Sequence, residues 1–502
     1  MRQARLTRPD ILRALASTSS YRLLSDASFL ARKNRPMSSD LQYEQLTTIS
    51  DLIRRKKLSS VEVTDATLQR IAKLDGQYHS YATVLAERAL TRAKAADAEI
   101  ARGLWRGPLH GVPIAVKDLC YTTFAPTSAG AAIFKRFVPS FNATVVERLE
   151  DAGAILLGKL QMTEGAYTSH HPHVAAPLNP WNTNYWVGSS STGSGAATSL
   201  GLCYGSLGSD TGGSIRFPSA TCGLTGIKPT WGRVSRYGVF PLAETLDHVG
   251  PMTRSVADAA AMLGIIAGAD RNDPTTYKAP VPDYLETIGD GIRGLRVGVD
   301  RDYAADGIDG QVVAALTEAE RVLSGLGATM REVRFPAYQK LVSQWIAMCS
   351  VETAAAHAET YPGRQSEYGP DLAALIEQGL ATKGTDIAAI ALERMRFSRE
   401  LSELFQGVDV LLIPTMPVPT PSLELMKAYG EDPNVLLSIL RFTAPFDFSG
   451  SPTLTLPNGL DSAGMPLSMQ LVGPHLSEDV LVRAGQAFQL ATDWHRRHPP
   501  VA

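Results

Sequence analysis

Two short turns rich in serine and glycine occur within residues 188–216, GSSSTGSGAATSLGLCYGSLGSDTGGSIR. Ser190 lies in the first turn, and Ser214 lies in the second turn, directly after Gly212 and Gly213. Paired glycines let the backbone adopt positive φ values and approach a ligand closely. We therefore predict that the second turn directs several backbone N–H groups toward one point, with a purely structural turn as the alternative.

A lysine follows an apolar run upstream, because Val112 to Val116 directly precede Lys117. A serine is a weak nucleophile until a base takes its proton. A lysine that loses its solvation at the end of an apolar strand has a lowered pKa and can serve as that base. A solvated lysine is the commoner alternative for an isolated strand end. Together with Ser190 and Ser214, Lys117 would form a serine hydrolase centre without histidine.

At these residues the chain resembles the amidase signature family, whose catalytic triad is Ser–cis-Ser–Lys. The resemblance covers roughly residues 43–498 and rests on an ordered series of segments: HGVPIAVKD, GKLQMTEGAYTS, the two turns, CGLTGIKPTWGRVSRYG, LDHVGPMTRSVADAA and TAPFDFSGSPTLTLPNG. It implies that Ser214 is the nucleophile, that Ser190 follows a cis peptide bond from Ser189 and relays the proton, and that Lys117 is the base. It also implies oxyanion donors from the backbone of Thr211, Gly212, Gly213 and Ser214, and no metal or organic cofactor.

The resemblance further implies a substrate pocket lined by the loop that contains Met162, Tyr167 and His170, although each histidine of this loop could equally lie on a surface. Phe124 and the segment 446–448 are weaker pocket candidates. A metal site at His170, His171 and His173 is disfavoured, because the spacing lacks a distant fourth ligand and a suitable carboxylate.

Some residues around the two serines differ from the family pattern, and others are expected to support the second turn. Ser189 and Thr192 stand where glycines are usual, and Gly195 replaces a usual alanine, so we expect an altered pocket shape with retained chemistry. Asp210 and Arg216 flank the nucleophile, and the resemblance implies that they support the turn, as an ion pair.

Apolar runs alternate with helical patterns along the chain, which favours an α/β fold with a mixed central sheet covered by helices on both faces. Residues 338–406 have an almost entirely helical pattern and resemble the helical part of the family that helps to cover the substrate site. The predicted strands are 112–116, 154–160, 203–207, 295–299, 330–335, 408–413, 453–456 and 467–472. The predicted helices are 84–102, 143–151, 195–202, 256–267 and 311–326.

Composition restricts the partners and the compartment. The formal net charge of −2 gives no indication of nucleic-acid binding, and no apolar run reaches the length of a membrane span. Four widely spaced cysteines without a CxxC pattern predict free thiols in a reducing compartment, here the cytoplasm. The basic segment 1–36 is interpreted as a disordered or non-native extension before a start at Met37, with a transit peptide as the alternative. Residues 37–502 are predicted to form one catalytic domain, as a monomer or homodimer.

The resemblance implies a stand-alone serine amidohydrolase that cleaves carbon–nitrogen bonds in small non-peptide amides, anilides or carbamates. The alternative is the glutaminase subunit of a tRNA-dependent amidotransferase, whose core motif shares LGSDTGGSIR and GRVSRYG. A non-catalytic binding scaffold fits poorly, because Lys117, Ser190 and Ser214 are all present.

Overall fold

One mixed sheet of eleven strands runs through the computed structural model, which describes residues 41–431 and 433–501. The strands are β1 (Tyr81–Val84), β2 (Pro113–Lys117), β3 (Ile155–Leu160), β4 (Gly205–Asp210), β5 (Thr225–Lys228), β6 (His248–Thr253), β7 (Arg296–Val299), β8 (Thr329–Glu332), β9 (Val410–Pro414), β10 (Thr453–Leu460) and β11 (Pro466–Val472). They are ordered β1-β3-β2-β4-β6-β5-β10-β11-β9-β7-β8. The predicted extension 1–36 lies outside the described residues.

Helices flank this sheet. Their bounds are Leu46–Arg54, Ser60–Tyr78, Ala86–Ala101, Thr144–Asp151, Thr192–Ser199, Arg216–Thr221, Val256–Ile266, Arg301–Ala305, Gly310–Gly325, Gln339–Ser343, Trp345–Ala356, Tyr361–Arg364, Pro370–Ala381, Gly384–Leu404, Leu423–Glu431, Pro433–Leu440, Ala444–Ser449 and Glu478–Ala491. Within the described ranges, no helix combines the length and the apolar character needed to cross a bilayer.

The strands β2 (PIAVK) and β9 (VLLIP) are buried on both faces, which explains why they are nearly continuous apolar runs rather than alternating ones. In β2, Ala115 belongs to a core cluster that also contains Leu157 and Ala197. Its neighbours Ile114 and Val116 point to the opposite face and belong to the larger core cluster. The predicted mixed sheet with helices on both faces is therefore confirmed.

Three strands were not predicted: β1, β5 and β6. The strand β1 ends at Val84, the first residue of the predicted helix 84–102, and the helix begins instead at Ala86. The strands β5 (TGIK) and β6 (HVGPMT) contain residues with low strand propensity, yet they pair with each other near the middle of the sheet. Pairing with neighbouring strands outweighs local propensity at these positions. The predicted strand 203–207 lies slightly later, at 205–210, and the predicted helix 195–202 begins earlier, at Thr192.

The parallel pairing of β2 with β4 brings two of the predicted site segments to one edge of the sheet. Val116 lies opposite Leu207 in this pairing, so the carboxyl ends of the two strands are neighbours. Lys117 ends β2, and the turn that contains Ser214 follows β4. Residues 338–406 contain five of the helices, and Trp345–Ala356 packs against Pro370–Ala381.

Candidate active site

The side chain of Lys117 is completely buried and reaches two serine hydroxyls. Its Nζ donates to Ser190 Oγ at 2.7 Å and to Ser209 Oγ at 2.9 Å. Burial lowers the pKa of Lys117 to about 7, against the opposing influence of the carboxylates of Asp210 and Asp247. A large fraction of this lysine is therefore neutral near neutral pH and can accept a proton.

Ser190 is buried in a loop that is fixed on both sides. The Ser189–Ser190 peptide bond is cis, as the resemblance implied. The Ser190 carbonyl accepts the Thr163 N–H at 3.2 Å, and the Gly193 N–H donates to the Gln161 carbonyl at 2.9 Å. The Ser190 hydroxyl is thus held against Lys117 by backbone contacts from the segment that follows β3.

Ser214 lies in the turn after β4 and keeps part of its surface accessible. Within the described chain, no hydrogen bond joins its hydroxyl to that of Ser190. Hydrogen bonds of this kind are often longer in enzymes without substrate and tighten when the substrate binds. The arrangement offers an approachable hydroxyl on one side and a buried serine–lysine pair on the other.

The peptide units before Ser214 point in defined directions. The Thr211 carbonyl accepts Trp345 Nε1–H at 2.9 Å, and the Gly212 carbonyl accepts the Thr443 hydroxyl at 2.7 Å. Because N–H and C=O point in opposite directions in a trans peptide, the Gly212 N–H faces away from Trp345. The N–H groups of Thr211, Gly212 and Ser214 have no hydrogen-bond partner among the described residues.

The Gly213 N–H differs from the expectation that all four amides of the turn face a substrate. It donates to the Asp210 carboxylate at 2.7 Å, as does the Ile215 N–H at 3.0 Å. Gly213 itself has a φ of 131°, a conformation that favours glycine. The assignment of Gly213 as an oxyanion donor is therefore corrected: this residue shapes the turn, and the candidate donors are the three remaining amides.

A buried ion pair stabilises this turn, as predicted. Arg216 donates to both carboxylate oxygens of Asp210, at 2.7 and 3.0 Å, and to Asp447 at 2.7 Å. Burial alone would raise the pKa of Asp210, but the charge and hydrogen bonds of Arg216 outweigh it and keep that pKa below its usual range. Asp210 is thus a fixed carboxylate that organises the turn.

The candidate pocket residues have different environments. Tyr167 is half-buried, and burial raises the pKa of its hydroxyl above the ordinary value. His170 is half-buried as well, and burial lowers the pKa of its imidazole to about 4, so it is neutral near pH 7. Met162 has no exposed surface and packs in the larger core cluster. Its expected contact with substrate is therefore corrected to a role in the core.

The weaker pocket candidates lie in the protein interior or against other side chains. The Arg88 guanidinium covers the Phe124 ring, 3.6 Å from its centroid. Phe446, Asp447 and Phe448 are buried, and Asp447 takes part in the ion pair with Arg216. Among the residues with described positions, no group of three His, Cys, Asp or Glu side chains could hold a metal ion.

Sequence reasoning missed Ser209 and Trp345. Ser209 lies in β4 within the motif LGSDTGGS, so its position in that motif was the available signal. Trp345 comes from the helical segment, 134 residues beyond Thr211, and no local pattern indicates that its indole reaches the turn.

Comparison with known proteins identifies the family of this chain. A family model described as Amidase matches residues 62–482. A Mycobacterium tuberculosis (strain ATCC 25618 / H37Rv) protein named "Putative amidase AmiD" is 50% identical over 457 residues, which cover 91% of this chain and 96% of that protein. A glutamyl-tRNA(Gln) amidotransferase subunit from Geobacter sp. (strain M21) is 36% identical, over 90% of this chain and 98% of its own.

A solved structure of 6-aminohexanoate cyclic dimer hydrolase superimposes with a TM-score of 0.83. It is 27% identical and covers 91% of this chain and 99% of its own. The family match covers far more than half of the chain, and the relatives match over nearly their whole lengths. The chain therefore belongs to the amidase family of enzymes.

Proposed function

We propose that this protein is a stand-alone serine amidohydrolase that cleaves carbon–nitrogen bonds in small non-peptide amides, anilides or carbamates through an acyl-enzyme on Ser214. The observation that carries the proposal is the buried Lys117, whose Nζ lies 2.7 Å from Ser190 Oγ at the edge of the sheet where the Ser214 turn begins. Family membership and the 50% identity to a protein whose name includes amidase support it.

In the proposed reaction, neutral Lys117 accepts the Ser190 proton while Ser190 takes the proton of Ser214. The Ser214 oxygen then attacks the carbonyl carbon of the substrate. The N–H groups of Thr211, Gly212 and Ser214 stabilise the negative charge that develops on the carbonyl oxygen.

Collapse of this intermediate breaks the carbon–nitrogen bond. The leaving nitrogen takes a proton from Ser190, which is replenished by the Lys117 ammonium group. Water then attacks the acyl-enzyme by the same relay, so that the acid is released and Ser214 regains its proton. The cycle is balanced for hydrolysis and draws only on groups of this chain.

Tyr167 and His170 are proposed to border the substrate, and both keep part of their surface accessible. We also propose action in the cytoplasm, because the four cysteines are buried and free, as in a reducing compartment. A monomer or homodimer is the proposed assembly, which light scattering after size-exclusion chromatography measures directly.

The test is hydrolysis of an aliphatic amide, an anilide, a carbamate and glutamine by the wild type, Ser214→Ala and Ser324→Ala. Ser324 is an exposed serine of the helix Gly310–Gly325 and serves as the matched control. We expect turnover of an amide, anilide or carbamate that Ser214→Ala abolishes and Ser324→Ala retains. Turnover of glutamine alone would favour the glutaminase of a tRNA-dependent amidotransferase, which the 36% identity to the Geobacter protein keeps as the second candidate.

A further inference from the structure

Asp247 is a buried carboxylate beside the nucleophile turn that the proposed reaction does not use. It directly precedes β6, and β6 pairs with β4 so that His248 lies opposite Asp210. This pairing places Asp247 next to Thr211, the first residue after β4. Asp247 therefore belongs to the wall of the candidate oxyanion site, although it is 36 residues away in the sequence.

The carboxylate of Asp247 is fixed by backbone donors and in turn holds Thr211. It accepts the Leu242 N–H at 2.9 Å and the Ala243 N–H at 3.2 Å. The Thr211 hydroxyl donates to its Oδ1 at 2.5 Å, within the range of a charge-assisted hydrogen bond. Because the backbone donors fix the carboxylate, the Thr211 side chain has a rigid partner.

Thr211 is thus held at two points. Its hydroxyl is held by Asp247, and its carbonyl is held by the Trp345 indole. A Cβ on the next residue, Gly212, would lie only 2.6 Å from the Trp345 ring, so the turn and the indole are tightly packed. With the side chain and the carbonyl fixed, the remaining polar groups of this stretch are the N–H groups of Thr211 and Gly212.

We propose that Asp247 is a positioning residue for the oxyanion donors, because its hydrogen bond to the Thr211 hydroxyl fixes the direction of the Thr211 and Gly212 N–H groups. This inference rests on the proposed function of Ser214. Asp247 does not contact the reacting atoms; it acts through Thr211. Without it, the donors would have to be reoriented in each reaction, which costs transition-state stabilisation rather than substrate affinity.

Asp247 has a second, electrostatic effect on the same centre. The carboxylates of Asp210 and Asp247 and the Cys120 thiol face Lys117, and both carboxylates favour its charged form against the effect of burial. Burial raises the pKa of Asp247 itself to about 6, while the charge of Arg236 acts in the opposite direction. The Cys349 thiol also lies near Asp247. At pH 8 the group is a carboxylate, so replacing it with an amide should lower the pKa of Lys117 further.

The experiment measures the rate at which a fluorophosphonate labels Ser214, because its phosphoryl oxygen occupies the oxyanion site and no substrate has to be known. The variants are Asp247→Asn, Thr211→Val and Thr211→Ser, each compared with the wild type from pH 5 to 9. Asp270→Asn is the matched control, since Asp270 also accepts two hydroxyls, from Thr144 and Ser235, elsewhere in the structure. Thermal unfolding of each variant reports whether it folds.

We expect Asp247→Asn and Thr211→Val to slow labelling at saturating reagent by about 10- to 100-fold, with the reagent concentration for half-saturation nearly unchanged. Thr211→Ser, which keeps the hydroxyl, should lose much less of the labelling rate than Thr211→Val, whereas the control Asp270→Asn should label like the wild type. Only Asp247→Asn should move the acid limb of the pH profile to lower pH, a change that a merely structural role would not produce.

Equal labelling of wild type, Asp247→Asn and Thr211→Val would overturn the inference, as would a loss confined to reagent affinity. If Asp247→Asn does not fold, the contrast between Thr211→Val and Thr211→Ser decides the hydrogen-bond part alone. If wild-type Ser214 is not labelled at all, the proposed function fails, and this inference fails with it. If wild-type Ser214 is labelled and the variants are labelled equally well, only this inference fails. The two failures are therefore distinguishable.

Discussion

The rate of hydrolysis should change over a narrow range around pH 7, because it follows the protonation of one buried lysine. Lys117 has no exposed surface, and its burial lowers its pKa from an ordinary value near 10.4 to about 7. At a pKa of 7, about a tenth of the side chain is neutral at pH 6 and about nine-tenths at pH 8. The structure therefore predicts that kcat/KM rises about tenfold from pH 6 to pH 8 and then becomes flat.

An ordinary lysine would give a different curve. With a pKa near 10.4, the neutral fraction would rise about tenfold for each pH unit up to about pH 10. The assay is the initial rate of amide or anilide hydrolysis from pH 5 to 10 at substrate concentrations far below KM, with a single-turnover measurement to show that chemistry limits the rate. The Lys117→Met variant should be inactive at every pH in this range, so its rate should show no rise between pH 6 and pH 8.

Two other buried groups with a pKa of about 7 lie outside the contacts of Lys117 and require controls. Burial raises the pKa of Glu164 to about 7 and lowers the pKa of Lys228 to about 7. Glu164→Gln and Lys228→Gln should therefore keep the midpoint of the profile. A flat profile between pH 6 and 8, a midpoint near 10, or a midpoint that moves with Glu164→Gln would refute the assignment of Lys117 as the titrating base.

Three further predictions concern stability and the loop around the serines. Arg216→Met leaves the buried carboxylates Asp210 and Asp447 without their cation and should cost about 3–5 kcal/mol in urea unfolding, and an unchanged midpoint would contradict this. Because the pKa of Glu164 is raised, its contribution to stability is lost as the pH rises through about 7. The Glu164→Gln variant should therefore be as stable as the wild type at pH 5 and up to about 2 kcal/mol more stable at pH 8.5. The same difference in unfolding free energy at both pH values would count against this. Gly193→Ala should abolish activity, because the new Cβ would lie 2.6 Å from the Gln161 backbone nitrogen. Gly195→Ala should retain activity, because the closest atoms to its Cβ would be side-chain atoms, at 3.0 and 3.1 Å. Equal activity of the two variants would contradict this packing argument.

The chemistry of the site could be predicted from short segments of sequence. An apolar run that ends in Lys117 predicts a buried strand with a desolvated lysine, and the paired glycines before Ser214 predict a sharp turn. These patterns are local, because backbone conformation within a few residues depends mainly on the residues themselves. The ion pair of Asp210 with Arg216, which are six residues apart, was expected from the resemblance to the family rather than from a local pattern.

Other parts of the site depended on contacts between distant segments. Lys117 and Ser209 are 92 residues apart and meet only because β2 and β4 are parallel neighbours. Met162 packs in the core instead of facing the pocket. Neither outcome is visible in a local pattern, because each depends on which distant segments pack together. The loss of the Gly213 N–H as an oxyanion donor is different, since the Asp210 carboxylate that accepts it is only three residues away.

The sequence by itself determined the alternation of strands and helices, the two serine turns and the identity of the candidate base. The tertiary structure alone decided that β5 and β6 pair near the middle of the sheet despite their weak strand propensity. It also decided that Trp345 and Asp247 hold the oxyanion turn. The physical reason is that propensity acts over a few residues, whereas burial, hydrogen-bond competition and the pKa of a buried lysine depend on every segment packed around it.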